Sequence, residues 1–172
     1  MGALLGLAAA IVVLDQLAKA WAVARLAAAP PLVVVPGLVQ LVLVMNPGVA
    51  FGIMGGVPQR WRWVVMLVSL GALIVLCSLA TRIVPQGGWL GRGSLGLVLG
   101  GALGNLIDRW RLGAVVDFVD VHWRDWHWPA FNVADAAITV GVALLAIEFL
   151  LSGESRPQPT ESRRPVSSEP GA

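Results

Sequence analysis

Long apolar runs, separated by pieces rich in proline, glycine or tryptophan, set the plan of this chain. Four runs, at about 3–24, 62–81, 89–108 and 132–151, reach the roughly 20 apolar residues that a membrane-spanning helix needs. The first is interrupted by Asp15, Gln16 and Lys19. No positive charge precedes its apolar start and a charged block sits in its second half, so it reads as a retained span, not a cleaved signal peptide. After it comes PPLVVVPGLVQLVLVMNPGVAFGIMGG, whose short Val-rich pieces predict two or three small strands with turns at Pro36-Gly37 and Asn46-Pro47-Gly48. Backbone of this kind cannot face lipid, so it belongs at or above the membrane interface. RWRLGAVVDFVDVHWRDWHWPAF, before the fourth run, holds four of the chain's eight tryptophans, which gather at headgroup level. That segment is expected to rest on a membrane surface. The tail, 152–172, is polar and rich in Pro and Ser, a composition that predicts disorder.

Composition agrees. Of the 172 residues 57% are hydrophobic and 13% charged, against roughly 45–50% and 25% in soluble domains. Mean hydropathy is +0.78. The formal net charge of +2 gives no reason to expect a nucleic-acid partner. The single cysteine, Cys77, rules out an internal disulfide and a Cys-based zinc site, and its apolar neighbours predict a small buried hydrophobe. Four spans put both termini on one side and the strand-rich and Trp-rich segments on the other. Arginines divide almost evenly between the two sides, so charge bias leaves the orientation open.

Charged side chains inside such runs cost about 2.5–3.5 kcal/mol each and usually face a protein interior or a watery cavity. Asp15 and Lys19 are four apart, an acid-before-base pair on one helix face. A self-neutralising structural pair is the expectation for Asp15, with substrate contact as a competing role for Lys19. Gly96, Gly100 and Gly104 form a smooth stripe on the third run, suited to close helix approach. Asn105, Asp108 and Arg109 follow, with Asn105 and Arg109 on one face, and a guanidinium can fork onto a carboxylate or backbone carbonyls. Asp117 lies between Val116 and Phe118, where burial would raise its pKa; a turn or surface-helix position explains it equally well. Asn132 and Asp135 suit an N-cap and a first-turn carboxylate, whatever the protein does. Asp120, His122, Asp125 and His127 crowd into DVHWRDWHW, but their spacing matches no metal-site pattern and no metal is expected.

In order along the chain, DQLAK (15–19), NPGVAFG (46–52), GGALGNLIDR (100–109), VVDF (115–118) and FNVADAAI (131–138) resemble the lipoprotein signal peptidases, or signal peptidase II. The resemblance covers about 12–150. It implies an all-α membrane protein of four transmembrane helices, residues 1–151, with a small extracytoplasmic β-cradle at about 31–56. A periplasmic, interfacial helix or mobile flap at about 110–131 and a cytoplasmic tail would complete it. The implied activity is that of an aspartic endopeptidase of the bacterial inner membrane, which removes the signal peptide from diacylglyceryl-modified prolipoproteins just before the lipidated cysteine. Asp117 and Asp135 would be the catalytic pair. Asn46, Asn105, Arg109, Asn132 and Lys19 would bind or support the substrate, with Asp15 and Asp108 as structural polar positions. The resemblance further implies a monomer among membrane lipids, cytoplasmic termini, a site near the outer face, no cofactor, and inhibition by cyclic peptides of the globomycin type. Pro47, Val49 and Trp128 depart from the family's usual residues without touching this chemistry.

Two carboxyl groups about 3 Å apart cannot both ionise easily, so such a pair shares a proton. The ionised member can then activate water while the protonated one polarises the scissile carbonyl. A small transporter or channel component, with Asp15, Lys19 and Asp108 along a polar pathway, is the alternative. A non-catalytic scaffold packed through the glycine stripe is a third possibility.

Overall fold

The structure, a computed structural model, describes residues 1–48, 59–83 and 88–153. Its elements run α1 (Gly2–Leu26), β1 (Leu32–Val35), β2 (Val39–Asn46), α2 (Gln59–Ile83), α3 (Trp89–Leu112), β3 (Val115–Trp123), β4 (Trp126–His127) and α4 (Val133–Gly153). Each of the four apolar runs is a helix. Among the described residues, α1, α3 and the Val133–Leu151 part of α4 are long and apolar enough to cross a membrane, and α2 holds a shorter apolar stretch over Trp63–Ser78. The chain is thus a mostly helical membrane protein with one small sheet. The end of the NPGVAFG block and the tail beyond Gly153 lie outside the described residues.

Local chemistry sets the helix ends. Pro30 and Pro31 follow α1, and proline has no N–H with which to continue a helix. Gly113 closes α3 in the left-handed conformation (φ 70°), donating its N–H to the Arg109 carbonyl at 3.1 Å. The sheet has the order β1-β2-β3-β4 with antiparallel neighbours. Gly37, at φ 73°, sits in the β1–β2 turn where the sequence places one. Between the pairs Leu41↔Val119 and Val44↔Asp117, β2 runs one residue longer than β3, a bulge of the kind found beside functional sites.

Residues 110–131 correct an expectation. They form no separate interfacial helix: α3 extends to Leu112, and 115–123 is the strand that joins the two-stranded β1–β2 unit to β4. VVDFVDV is dense in β-branched and aromatic side chains, which favour a pleated surface, and β2 offers it a free edge. The chain then returns along β3, with Phe131 bridged to Val119 through N–H···O bonds of 2.9 and 3.1 Å. This register delivers Asn132 to the level of Asp117. Trp123, Trp126 and Trp128 stay exposed, as a surface-lying segment requires.

Helix α3 is the central packing element. Leu95 and Leu99 on it meet Leu4 and Ala8 of α1 and Leu73 of α2 in one apolar cluster. A second cluster ties the end of α1 to the sheet through Ala22, Leu26 and Phe118. The glycine stripe faces α1: a methyl added at Gly96 would lie 3.0 Å from the Leu4 carbonyl oxygen, one at Gly100 2.8 Å from that of Ala8, and one at Gly104 2.6 Å from an Asp15 carboxylate oxygen. Gly101 makes the corresponding approach to α4 at the Ala134 carbonyl. By contrast α2 joins this cluster through Leu73 and Leu76, and most of its described side chains are exposed. Its outer side is left to the surroundings, which is why Cys77 is exposed and not buried as its neighbours suggested.

Gly100→Ala should therefore push α1 from α3 and destabilise by roughly 1–3 kcal/mol, as overpacking does. Gly93→Ala, with nothing within 4 Å of the new methyl, should be neutral or gain up to about 1 kcal/mol of helix preference. Thermal unfolding of both variants in detergent checks this; equal midpoints would contradict the packing.

Candidate active site

The polar groups that seemed misplaced in apolar runs converge at the sheet end of the helices. Lys19, on α1, is only 3% exposed, and its ammonium donates to Asp15 Oδ2 (2.9 Å), Asp108 Oδ2 (2.8 Å) and Asn105 Oδ1 (2.9 Å). Three N–H groups meet three oxygens, so the lysine has none left for a substrate. Each carboxylate then reaches a backbone. Asp15 Oδ1 accepts the N–H of Ala134 (2.9 Å), one of the open donors at the start of α4. Asp108 Oδ2 accepts the N–H of Val116 (3.1 Å), the residue before Asp117 on β3. The ammonium therefore ties α1 and α3 to α4 and β3, the elements that carry Asp135 and Asp117.

Asn132 caps α4: its Oδ1 accepts the N–H of Asp135 (3.0 Å), while Asp135 Oδ2 accepts the N–H of Asn132 (3.2 Å). This is a reciprocal capping box with aspartate in the usual glutamate place. The same Asn132 donates from Nδ2 to Asp117 Oδ1 at 2.6 Å and to Val116 O at 3.3 Å. One residue thus bridges the two aspartates, bonding Asp117 by its side chain and Asp135 by its main chain. Each carboxylate has a second amide partner: Asn46 Nδ2 donates to Asp117 Oδ2 (2.9 Å), and Asn105 Nδ2 to Asp135 Oδ1 (2.7 Å). Asn105 can offer its amide to Asp135 only because Lys19 fixes its oxygen on the other side. Its Oδ1 also accepts from Asn132 at 3.3 Å.

Asp117 is 1% exposed and Asp135 half-buried. Burial raises the Asp117 carboxyl from its ordinary 3.8 to about 6; the Asn46 hydrogen bond opposes the rise, the negative charge of Asp135 adds to it, and Asn132 and Lys19 oppose it. Arg109 lies within electrostatic range of Asp135, Asp117 and Asp108. Its Nη1 donates to the Asn105 carbonyl (3.2 Å), and its buried Nε has no partner among the described residues. It also lines a cleft of about 240 Å³ with Trp63, Met66 and Trp110.

All nine site residues singled out in the sequence lie in or beside this network. Gln16 was missed. It donates to Asp108 Oδ1 (2.9 Å), Asp15 Oδ2 (3.2 Å) and the Gly104 carbonyl (3.3 Å) and accepts from Arg111 (3.3 Å). Its position between Asp15 and Lys19 in an otherwise apolar helix was a signal available in advance.

A sequence profile described as signal peptidase (SPase) II matches residues 7–151. The chain belongs to the signal peptidase II family. It is therefore a member of a family of peptidases. A lipoprotein signal peptidase of Syntrophotalea carbinolica is 47% identical over 84% of this chain and 88% of that protein. That of Pseudomonas aeruginosa, strain UCBPP-PA14, is 43% identical over 84% and 86%. Among solved structures, a bacterial membrane enzyme determined in meso at 2.3 Å superposes with a TM-score of 0.71 at 26% identity, covering 94% of this chain and 96% of that one.

The geometry of this candidate site has two testable consequences. A carboxyl pKa raised on folding stabilises the fold below about pH 4 and loses that contribution, at most about 3 kcal/mol, as pH rises through 6. A protonated-carboxyl infrared band should accordingly titrate near pH 6 in the wild type and be missing from Asp117→Asn. A band that survives this substitution would contradict the assignment. Lys19→Met leaves two buried carboxylates without their cation, a loss of about 3–5 kcal/mol, so its unfolding midpoint in detergent should fall by about 10 °C. An unchanged midpoint would show that Lys19 does not hold the elements together.

Proposed function

We propose that this chain removes the signal peptide from diacylglyceryl-modified prolipoproteins, cutting just ahead of the lipidated cysteine, with Asp117 and Asp135 as the catalytic pair. The observation that carries the proposal is the bridging of these two carboxylates by Asn132 at the end of a bundle of apolar helices. The pair holds one proton and titrates as a unit. Its ionised member takes a proton from water, which attacks the scissile carbonyl carbon. The protonated member hydrogen-bonds the carbonyl oxygen, and a proton then passes to the leaving amine as the C–N bond breaks. The scheme requires no cofactor.

Asn46, Asn105 and Asn132 orient the carboxylates, and the Arg109 guanidinium, on the wall of the adjoining cleft, is the cation that meets a substrate carbonyl. Lys19, Asp15 and Asp108 position these groups without touching substrate. An apolar groove of about 390 Å³ runs between α2 and α3, lined by Leu70, Leu103, Leu106 and Ile107, and shares Met66, Trp110 and Arg111 with the cleft at Arg109. This continuity suits a substrate with acyl chains in lipid and a peptide segment beside Arg109. In this proposal all four helices cross the bacterial inner membrane, both termini are cytoplasmic, the sheet forms a cradle on the outer face, and the enzyme acts as a monomer. A globomycin-type cyclic peptide would compete for the same cleft. A transport pathway finds no support, since Lys19, Asp15 and Asp108 are buried and bonded to one another.

Purified protein given a diacylglyceryl-modified prolipoprotein should cleave it, and Asp117→Asn and Asp135→Asn should each lower the rate by roughly 10²–10⁴-fold or more. Wild-type cleavage retained by either variant would overturn the catalytic pair.

A further inference from the structure

The far end of β3 carries a second cluster that the peptidase chemistry does not use. Successive residues of a strand point to opposite faces, so Asp120 and His122 share one face of β3. The β3–β4 register sets His127 directly opposite His122, and the β2–β3 register sets Gln40 opposite Asp120. Asp120 is buried, His122 half-buried and His127 exposed, and one ligand atom from each lies within 4.8 Å of the other two. His127 Nδ1 is 3.0 Å from both oxygens of Asp120. The two imidazole rings stack with centroids 5.1 Å apart. His122 Nδ1 is buried and has no hydrogen-bond partner among the described residues. Buried polar atoms are seldom left in this state, and a missing ion is one standing reason when they are.

We propose that Asp120, His122 and His127 form a binding site for one divalent transition-metal ion, with Zn²⁺ the best match. Two imidazoles and a carboxylate are a borderline N/O donor set of the kind zinc accepts, leaving a fourth position to water. Zinc bonds of about 2.0–2.2 Å put tetrahedral ligand atoms about 3.3 Å apart. The Asp120–His127 edge is already close to this, and side-chain rotation on a short, exposed hairpin can bring His122 in. Gln40 Nε2 donates to Asp120 Oδ2 at 2.7 Å, the outer partner that holds a ligating carboxylate in place. The spacing of these residues in sequence gave no sign of a site, because the match depends on strand register. Bound metal would lock β3 to β4 through ligands that begin three residues along the chain from Asp117 and would leave the peptidase carboxylates untouched.

The chain has only two histidines, both in this cluster, so an imidazole-bound metal can bind nowhere else. The test is calorimetric titration of ZnCl₂ into the full, tag-free chain in detergent, with Co²⁺ absorption as a report on ligand geometry. One equivalent should bind, and a tetrahedral Co²⁺ spectrum should appear. His122→Gln and His127→Gln should each weaken binding by at least about tenfold, Gln40→Leu should weaken it by roughly tenfold, and Cys77→Ser should leave it unchanged. Unfolding midpoints without metal establish that the variants are folded, and added Zn²⁺ should raise the midpoints of the wild type and of Cys77→Ser but not those of the histidine variants. Absence of stoichiometric binding by the wild type, binding that survives both histidine substitutions, or binding lost with Cys77→Ser would each overturn the proposal.

Discussion

The Lys19 ammonium sits among Asp15, Asp108 and Asn105, and the rest of the site hangs from that one point. A lone cation at this depth would be strongly unfavourable, and so would either carboxylate alone. Together they are tolerable because every proton of the lysine has an oxygen and both carboxylates find further donors. The arrangement also has a geometric result. Asp15 reaches the first turn of α4 and Asp108 reaches the start of β3, so a cluster centred on α1 fixes the two elements that bear Asp135 and Asp117. Gly104 allows it by leaving room for the Asp15 carboxylate against α3.

From this hub the effect passes through asparagines. An amide has one accepting and one donating end, and the ammonium decides which end of Asn105 faces Asp135. Asn132 then serves as helix cap and as bridge between the aspartates. The cap and the functional interpretations of Asp135, which compete when only the sequence is read, turn out to be compatible. The capping box holds Asp135 by one oxygen while its other oxygen meets Asn105. Burial is uneven across the pair, and that keeps the proton on this site closer to neutral pH than an exposed aspartate would allow.

Much of this was legible in the sequence, and what was not has physical reasons. The helices were visible because apolar length is a local property, and β1 and β2 because Val-rich pieces and a Pro-Gly turn are local too. The site residues were visible as misfits, since ionisable groups in apolar runs demand partners. Their partners were not visible: Lys19 meets Asn105 and Asp15 meets Ala134 across separations that only helix packing closes. β3 was obscured by its tryptophans, which signal a membrane surface without specifying backbone form. The exposure of Cys77 was hidden for a related reason, because an apolar run looks the same whether it faces protein or lipid.

The central claim is that Lys19 acts on the aspartate pair through Asn105, as one connected unit. A double-mutant cycle on prolipoprotein cleavage measures this directly, with Lys19→Met, Asn105→Ala and the double variant compared by kcat/KM at a temperature where all remain folded. Groups acting as a unit are non-additive, so the double variant should be little slower than the slower single variant. Losses that multiply fully would show the two residues to be independent and would contradict the account.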